Sequence, residues 1–484
     1  MNNPFESIFL ESRNHRTQPA RIPSGDRPEF RFEFRDNWTF TRLVSPCLGS
    51  ARDFSEISFD CDLAVLAKQA CRAMKSFEAD LIWLAMAVYL ADRFASRSPY
   101  GPNGRIYWRR RIHITVPVSE QKLWESLEAK LLLALTFLTE DDWSFTFVDG
   151  RQPFNEEDQD HFRQFTPQQI EWAALFSGGL DSAAGTVNWL QRTHGRALLV
   201  SGQTNGRIAV GQREQIAELR NHFATRIEHI GMSYGLPDKT GMDGFESSQR
   251  TRAFMHVLMG SVAASMAGAN KLMLFENGFG ALNLACDNAQ IGSQNSRGTH
   301  PLFLRRMGEV VGGALGQPFT IENPYMFSTK AEMLLVEDEA KFRRLFQRSF
   351  SCDRFPNYPH KAPQCGRCAS CLVRRMSFHA AGLPDEPHNY TFDIFANKPL
   401  RNLRTIELLA QVKMTVQADA LAERLNAIDA WNRLGENWPE LLRTEKDLGI
   451  SNFSDATSTL LGKHVQQWRA FVSAAIGQPV SAAA

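Results

Sequence analysis

The stretch Ser177-Gly178-Gly179-Leu180-Asp181-Ser182 constrains this chain more than any other. Before it, Glu171-Trp172-Ala173-Ala174-Leu175-Phe176 is a short apolar run that reads as a buried strand. After it, Ser182 to Leu190 reads as a helix. A strand, a Ser-Gly-Gly turn and a helix start together make an anion cradle. Glycine lets the backbone bend until successive N–H groups face one ligand. The helix N-terminus adds unpaired donors and the positive end of its dipole. Asp181 would repel an anion there unless a cation lay between them, so the stretch implies a polyphosphate with Mg²⁺.

Two rival nucleotide motifs fail. A Walker A loop ends in Gly-Lys-[Ser/Thr]. Here the one Gly-Lys pair, Gly462-Lys463, runs into His464. Gly278-Phe279-Gly280 opens a dinucleotide fingerprint but continues Ala281-Leu282-Asn283 without its third glycine.

Four of eight cysteines cluster, as Cys352 followed by Cys365-x-x-Cys368-x-x-Cys371. Three closely spaced thiols and a fourth returned by a loop suit tetrahedral Zn²⁺. Such a closed site has no position for water, so its role is structural. Persulfide chemistry is the rival reading and needs only one or two thiols. The four scattered cysteines read as small buried hydrophobes.

A chain of 484 residues exceeds one ordinary domain, and three regions are expected. Residues 1–150 read as an α+β domain, with alternating strands near Phe30–Phe34 and Arg105–Val116 and helices over Leu63–Lys75, Ala79–Ala95 and Gln121–Leu138. The triplet Arg109-Arg110-Arg111 reads as a solvated face. A polar linker over 149–168 leads into residues 168–385. There, strands and helices alternate, which predicts a doubly wound parallel sheet with ligands at its strand C-termini. Residues 388–484 read as helical, with Leu400–Val412, Ala418–Leu434, Trp438–Leu448 and Ser458–Ile476 as the helices.

Within 168–385, arginines at a helix start suit phosphate oxygens, and Arg252 precedes Arg250 as the candidate on a helix expected from Ser247 to about Met266. Glu276 and Asn277 end a buried strand and are candidates to bond a planar heterocycle or hold Mg²⁺. The polar run Gln290–His300 offers Arg297 and His300 as anion or substrate contacts. Lys330, at a capping-like helix start, is within reach of phosphate.

Charge limits the partners. Fifty-four basic and 53 acidic residues leave +1, which argues against a broad nucleic-acid footprint. No apolar run reaches the roughly 18 residues of a membrane span, and the N-terminus is unlike a signal peptide, so a cytoplasmic protein is expected.

The Ser-Gly-Gly-x-Asp-Ser pattern resembles the PP-loop of the ATP pyrophosphatase superfamily, whose enzymes cleave ATP between the α and β phosphates. The loop together with the Cys352-Cys365-Cys368-Cys371 pattern and Arg374 resembles the QueC family of 7-cyano-7-deazaguanine synthases, over about Trp172 to Leu383. The resemblance implies a PP-loop, HUP-like fold and ATP, Mg²⁺ and structural Zn²⁺ as cofactors. It implies catalytic roles for Asp181, Ser182, Arg252 and Lys330, and ATP contacts from Ser177, Gly178, Gly179, Asp181, Ser182 and Arg252. Asn277, Arg297 and His300 would face a deazaguanine carboxylate.

The chain is about twice as long as housekeeping members of that family. The Glu276–Asn283 and Asn295–His300 stretches look like the long QueC-like proteins of anti-phage defence operons, QatC and the type IV CBASS form among them. That likeness implies an operon-encoded protein partner, with its amine or ammonia as the nucleophile. A tRNA-modifying or sulfur-transfer PP-loop enzyme and a non-catalytic nucleotide-binding regulator are the alternatives.

Overall fold

A computed structural model of the chain describes residues 29–34, 40–44, 60–61, 74–95, 109–150, 170–235, 246, 248–283, 297–353, 355–356, 362–366, 368–392 and 439–476. The expected helices over 400–412 and 418–434, nearly all of the one over 63–75 and the linker over 151–168 lie outside them.

The first part holds β1 (Glu29–Phe34), β2 (Phe40–Val44), β3 (Asp60–Cys61), α1 (Ser76–Phe94), β4 (Arg111–Val118), α2 (Gln121–Thr139) and β5 (Asp142–Asp149). Four strands form one sheet in the order β2-β1-β4-β5, antiparallel only between β1 and β2. Period-two burial along β4 sends Ile112, Ile114, Val116 and Val118 inward, as the alternating sequence requires. The strand runs from Arg111, after Arg109 and Arg110, and the expected start at Arg105 lies outside the described residues.

The solvated reading of the arginine triplet is corrected at Arg110. Its guanidinium is buried between Asp92 and Asp141, with Nη2 2.6 Å from Asp141 Oδ2. Arg109 is exposed and pairs with Asp142.

The chain continues through β6 (Trp172–Leu175), α3 (Leu180–Arg192), β7 (Ala197–Gln203), α4 (Gly206–Phe223), β8 (Ile227–Gly235), α5 (Arg252–Met266), β9 (Lys271–Leu274), α6 (Gly278–Leu282), α7 (Pro301–Leu315), β10 (Thr320–Glu322), α8 (Lys330–Leu334), α9 (Glu339–Arg348) and α10 (Ala369–Ala380), then α11 (Pro439–Leu448) and α12 (Phe453–Ile476). The second sheet runs β10-β9-β6-β7-β8-β3, parallel throughout except for β3 against β8. The expected parallel α/β sheet is present.

One apolar cluster joins α1, α2 and the inner faces of β4 and β5 to α5 and α7, so the two sheets share a core. A second cluster covers the opposite face of the second sheet with α3, α4 and α9. Asp92 ties the shared core together: one oxygen pairs with Arg110 and the other accepts from the Thr251 amide, 3.0 Å, and hydroxyl, 2.9 Å. That contact fixes the start of α5 at Arg252, five residues later than the sequence predicts.

From β6 the chain winds one way to β7 and β8, then returns to the other side of β6 for β9 and β10. The strand order therefore reverses between β6 and β9. In open parallel sheets a crevice for ligands opens beyond the strand C-termini at that point.

Candidate active site

The loop after β6 lies at this switch point. Gly178 takes φ +80°, a conformation that favours glycine, and its carbonyl accepts from Gln215 Nε2 at 2.9 Å. Gln212 Nε2 donates to the Ser177 carbonyl at 3.1 Å. The Ser177 hydroxyl accepts from the Gly179 amide and lies 3.1 Å from the Ser182 hydroxyl. Helix α3 begins at Leu180, two residues earlier than expected, and no side chain caps it. Its first N–H groups therefore point out of the helix end.

Asp181 sits in the first turn of α3, only 6% exposed. Its Oδ2 accepts from Asn277 Nδ2 at 2.9 Å and pairs with Lys330 Nζ at 2.8 Å. Asn277 follows β9 and caps α6, its Oδ1 accepting from the Gly280 amide. Asn277 Nδ2 also reaches Glu276 Oε1 at 2.7 Å. Lys330 opens α8, where Thr329 and Glu332 form the expected capping box. The Gly278 amide donates to the Ser328 carbonyl at 2.8 Å, which links the two segments. Three strand ends thus converge on one carboxylate.

Burial opposes ionisation of Asp181, yet the Lys330 ammonium and hydrogen bonds from Glu276, Lys330 and Asn277 hold its carboxyl below the usual range. Burial and then the Asp181 charge push Glu276 well above it. Burial works against Lys330 too, but Asp181 and Glu276 outweigh it and keep the ammonium charged. Asp181 Oδ1 is buried without a hydrogen-bond partner. A buried carboxylate oxygen lacking a donor, beside a second carboxyl, is a donor set that fits a hard divalent cation.

The other sequence candidates have different neighbours. Arg252 is exposed at the start of α5, beside Tyr89 and His256. Arg250 donates to the Thr139 carbonyl at the end of α2. Arg297 pairs with Glu140 at 3.0 Å, donates to the Phe137 carbonyl and lies over the Phe137 ring. His300 is buried, caps α7 by accepting from the Leu302 amide and meets the same ring edge-on. No described hydrogen bond or ion pair joins Arg297 or His300 to Asp181. A cavity of about 780 Å³ lies along α7 and β10, lined by Leu304, Phe319, Ile321 and Leu448, and by none of these candidates.

Cys352, Cys365, Cys368 and Cys371 bring their sulfurs within 4.8 Å of one another, with Cys365 and Cys371 at 3.8 Å and Cys352 and Cys368 at 4.0 Å. Four thiolates at zinc distance form a tetrahedron with edges of roughly 3.8 Å. The group therefore fits a zinc ion. Contacts with Cys352 and Cys365 push the Cys368 and Cys371 thiols up, so a bound cation is what would keep all four as thiolates.

Arg374, one turn beyond Cys371, is fully buried. It donates to the carbonyls of Phe346, Gln347 and Ser349. Gln364 beside Cys365 also holds the Ser349 carbonyl, at 2.8 Å. These contacts anchor the segment that carries Phe350, which lies on the Gly178 turn. Sequence reading missed Gln212, Gln215, Gln364 and Phe350. Their only sequence signal is amide and aromatic side chains near recognisable motifs.

The comparisons with known proteins meet this part of the structure. Residues 295–382 carry a QueC-type domain. They match the family model described as queuosine biosynthesis protein QueC. A 67-residue stretch is 42% identical to the 7-cyano-7-deazaguanine synthase of Brucella ovis, covering 14% of this chain and 25% of that protein. The Brucella canis and Brucella abortus (strain S19) proteins of the same name match equally. The chain thus spans about a quarter of the length of these curated relatives. The QueC-type match includes Arg297, His300, Lys330, the four cysteines and Arg374; the Ser177–Ser182 loop and Asn277 lie before it. Among the described residues no helix is long and apolar enough to cross a membrane.

Proposed function

We propose that the crevice between β6 and β9 binds ATP and activates a carboxylate by adenylation. The observation that carries this reading is the meeting of Asp181, Asn277 and Lys330 beyond three parallel strand ends, beside an uncapped helix start. In this reading residues 168–385 are a catalytic domain of PP-loop, HUP-like type, flanked by regions 1–150 and 388–484.

The open N–H groups of α3 and the Ser177 and Ser182 hydroxyls bind the phosphates that leave as pyrophosphate. Lys330 offsets their charge, and Arg252 closes the site from its rim. Asp181 Oδ1 and Glu276 would hold Mg²⁺, which neutralises phosphate charge when bound. A substrate carboxylate oxygen attacks the α-phosphorus, the bond to the α–β bridging oxygen breaks, and pyrophosphate departs. An amine nitrogen then attacks the acyl carbon. AMP leaves with the electron pair of the C–O bond, the nitrogen loses a proton, and an amide forms.

The QueC-type match supports 7-carboxy-7-deazaguanine as the acid and includes Arg297 and His300, two of the residues read toward that substrate; Asn277, beside Asp181 and before the match, is the third. The relatives' name specifies a cyano product. Reaching it needs a second activation at the amide oxygen, which departs with AMP while the nitrogen loses two protons. The likeness of the Glu276–Asn283 and Asn295–His300 stretches to long QueC-like proteins of defence operons favours a defence-system form in which a partner protein or ammonia supplies the amine. The four cysteines hold structural zinc.

The test is exchange of labelled pyrophosphate into ATP with the acid present and no amine. Exchange in the unaltered chain, absent in Asp181→Asn, supports the reading. Equal exchange in both removes Asp181 from it.

A further inference from the structure

We infer that α12, at the far end of the chain, holds Asn277 and Lys330 against Asp181 and so completes the site. The inference rests on the ATP reading above for its catalytic meaning, and on geometry alone for the hold.

Residues 460, 463, 464, 467, 468 and 471 recur at helical spacing and share one face of α12. That face covers the two segments that carry the partners of Asp181. Leu460 is fully buried against the turn after Asn277. A Cβ on Gly278 would lie 2.6 Å from Leu460 Cδ2 and 2.2 Å from the Met326 carbonyl oxygen, so only glycine lets the backbone come this close. His464 stacks flat on Phe279, with centroids 3.8 Å apart and planes 7° apart.

The next turn of α12 reaches α8. Gln467 Nε2 donates to the Thr329 hydroxyl at 3.0 Å, the group that caps the helix opened by Lys330. Lys463 pairs with Glu332, the other half of that cap. Trp468, Phe471 and Val472 then pack on Leu372 and Met376 of α10, the helix of Cys371 and Arg374.

The half-exposed Lys463–Glu332 pair contributes little energy by itself. The buried face supplies the adhesion, while the Gln467 and Lys463 contacts set the register of Thr329. None of these α12 residues lies within the QueC-type match. They are positioning residues: they touch the caps of α6 and α8 rather than the reacting groups.

The experiment uses the full chain with His464→Ala and, separately, Gln467→Ala. Both leave the main apolar contacts of α12 in place. Amide hydrogen exchange is followed in peptides spanning 277–283 and 328–334, with β6 and β7 as internal references. Pyrophosphate exchange gives kcat and KM for ATP. Faster amide exchange confined to the two peptides is expected. A fall in kcat of about tenfold, near the upper loss for one net hydrogen bond, should accompany it. Gln467→Glu, which can accept the Thr329 hydroxyl proton, should restore both.

Unchanged amide exchange in both variants overturns the hold, whether or not the protein turns over ATP. Faster amide exchange with an unaltered kcat overturns the link to the site. A parent chain without pyrophosphate exchange on any acid removes the ATP reading instead, and the peptides still decide the hold.

Discussion

The amide of Phe350 donates to the carbonyl of Gly178 at 3.1 Å, and the Phe350 ring occupies the space a side chain at Gly178 would need: a Cβ there would lie 2.5 Å from Phe350 Cζ. A residue more than 170 positions downstream thus closes over the turn that shapes the anion cradle. Phe350→Ala should keep the fold, since the ring is only half-buried, and should raise KM for ATP about tenfold, equivalent to about 1.4 kcal/mol. Steady-state pyrophosphate release checks this. An unchanged KM would show that the ring does not support the turn.

The same contact joins the cysteine group to the cradle, through Arg374 and Gln364 on the Phe346–Ser351 backbone. One zinc per chain is expected by elemental analysis. Cys368→Ser should lose metal and solubility together, because three thiolates no longer close the tetrahedron that holds structural zinc. A soluble, metal-free variant with unaltered thermal midpoint would contradict a structural zinc.

Lys330 and Asp181 differ in what their loss leaves behind. Lys330→Met strands a buried carboxylate and should cost about 3 kcal/mol of stability. Asp181→Asn keeps the hydrogen bond from Asn277 and should fold, yet release no AMP. Urea unfolding and AMP release together separate the two. A Lys330→Met chain as stable as its parent would show the pair to be open to solvent.

Two buried histidines, His300 and His464, and two half-buried ones, His229 and His256, set an acid limit. Burial pushes His229 and His464 down to about 4, and His256 and His300 down to about 3. Arg220 and Arg213 add to the effect at His229, Arg252 at His256, and Arg297 and Arg306 at His300. Each stays neutral in the folded chain while its unfolded form takes up a proton below about 6.5. Stability is therefore complete above pH 6.5 and falls from there to about pH 4 for His229 and His464 and to about pH 3 for His256 and His300. At pH 5 each group should cost about 2 kcal/mol. His464→Phe, which keeps a ring on Phe279, should flatten part of that slope in urea midpoints taken from pH 7.5 to 5. An unaltered slope would mean that His464 protonates in the folded chain.

The parts legible in the sequence were those written locally. The strand–glycine–helix run, the capping box at Thr329 and Glu332, and the cysteine spacing each depend on residues a few positions apart. The alternation of strands and helices carried the parallel sheet for the same reason. What stayed hidden depends on the tertiary meeting of distant segments. Arg110 looked like a surface charge until Asp92 and Asp141 enclosed it. Helix α5 starts at Arg252 because Asp92, from α1, takes the Thr251 donors. Arg297 and His300 lie in a polar run, but their visible partners come from the end of α2, Phe137 on the helix and Glu140 just after it. Nothing in the tail sequence shows that Gln467 reaches Thr329.

The most direct measurement is AMP formation by the full chain with ATP, Mg²⁺ and 7-carboxy-7-deazaguanine, with ammonia or a co-purified partner protein as the amine. AMP and pyrophosphate that depend on the acid, vanish in Asp181→Asn and accompany a product of amide or nitrile mass are the expected result. ATP left intact with the acid and either amine present, by a chain that holds its zinc, would contradict carboxylate adenylation at Asp181.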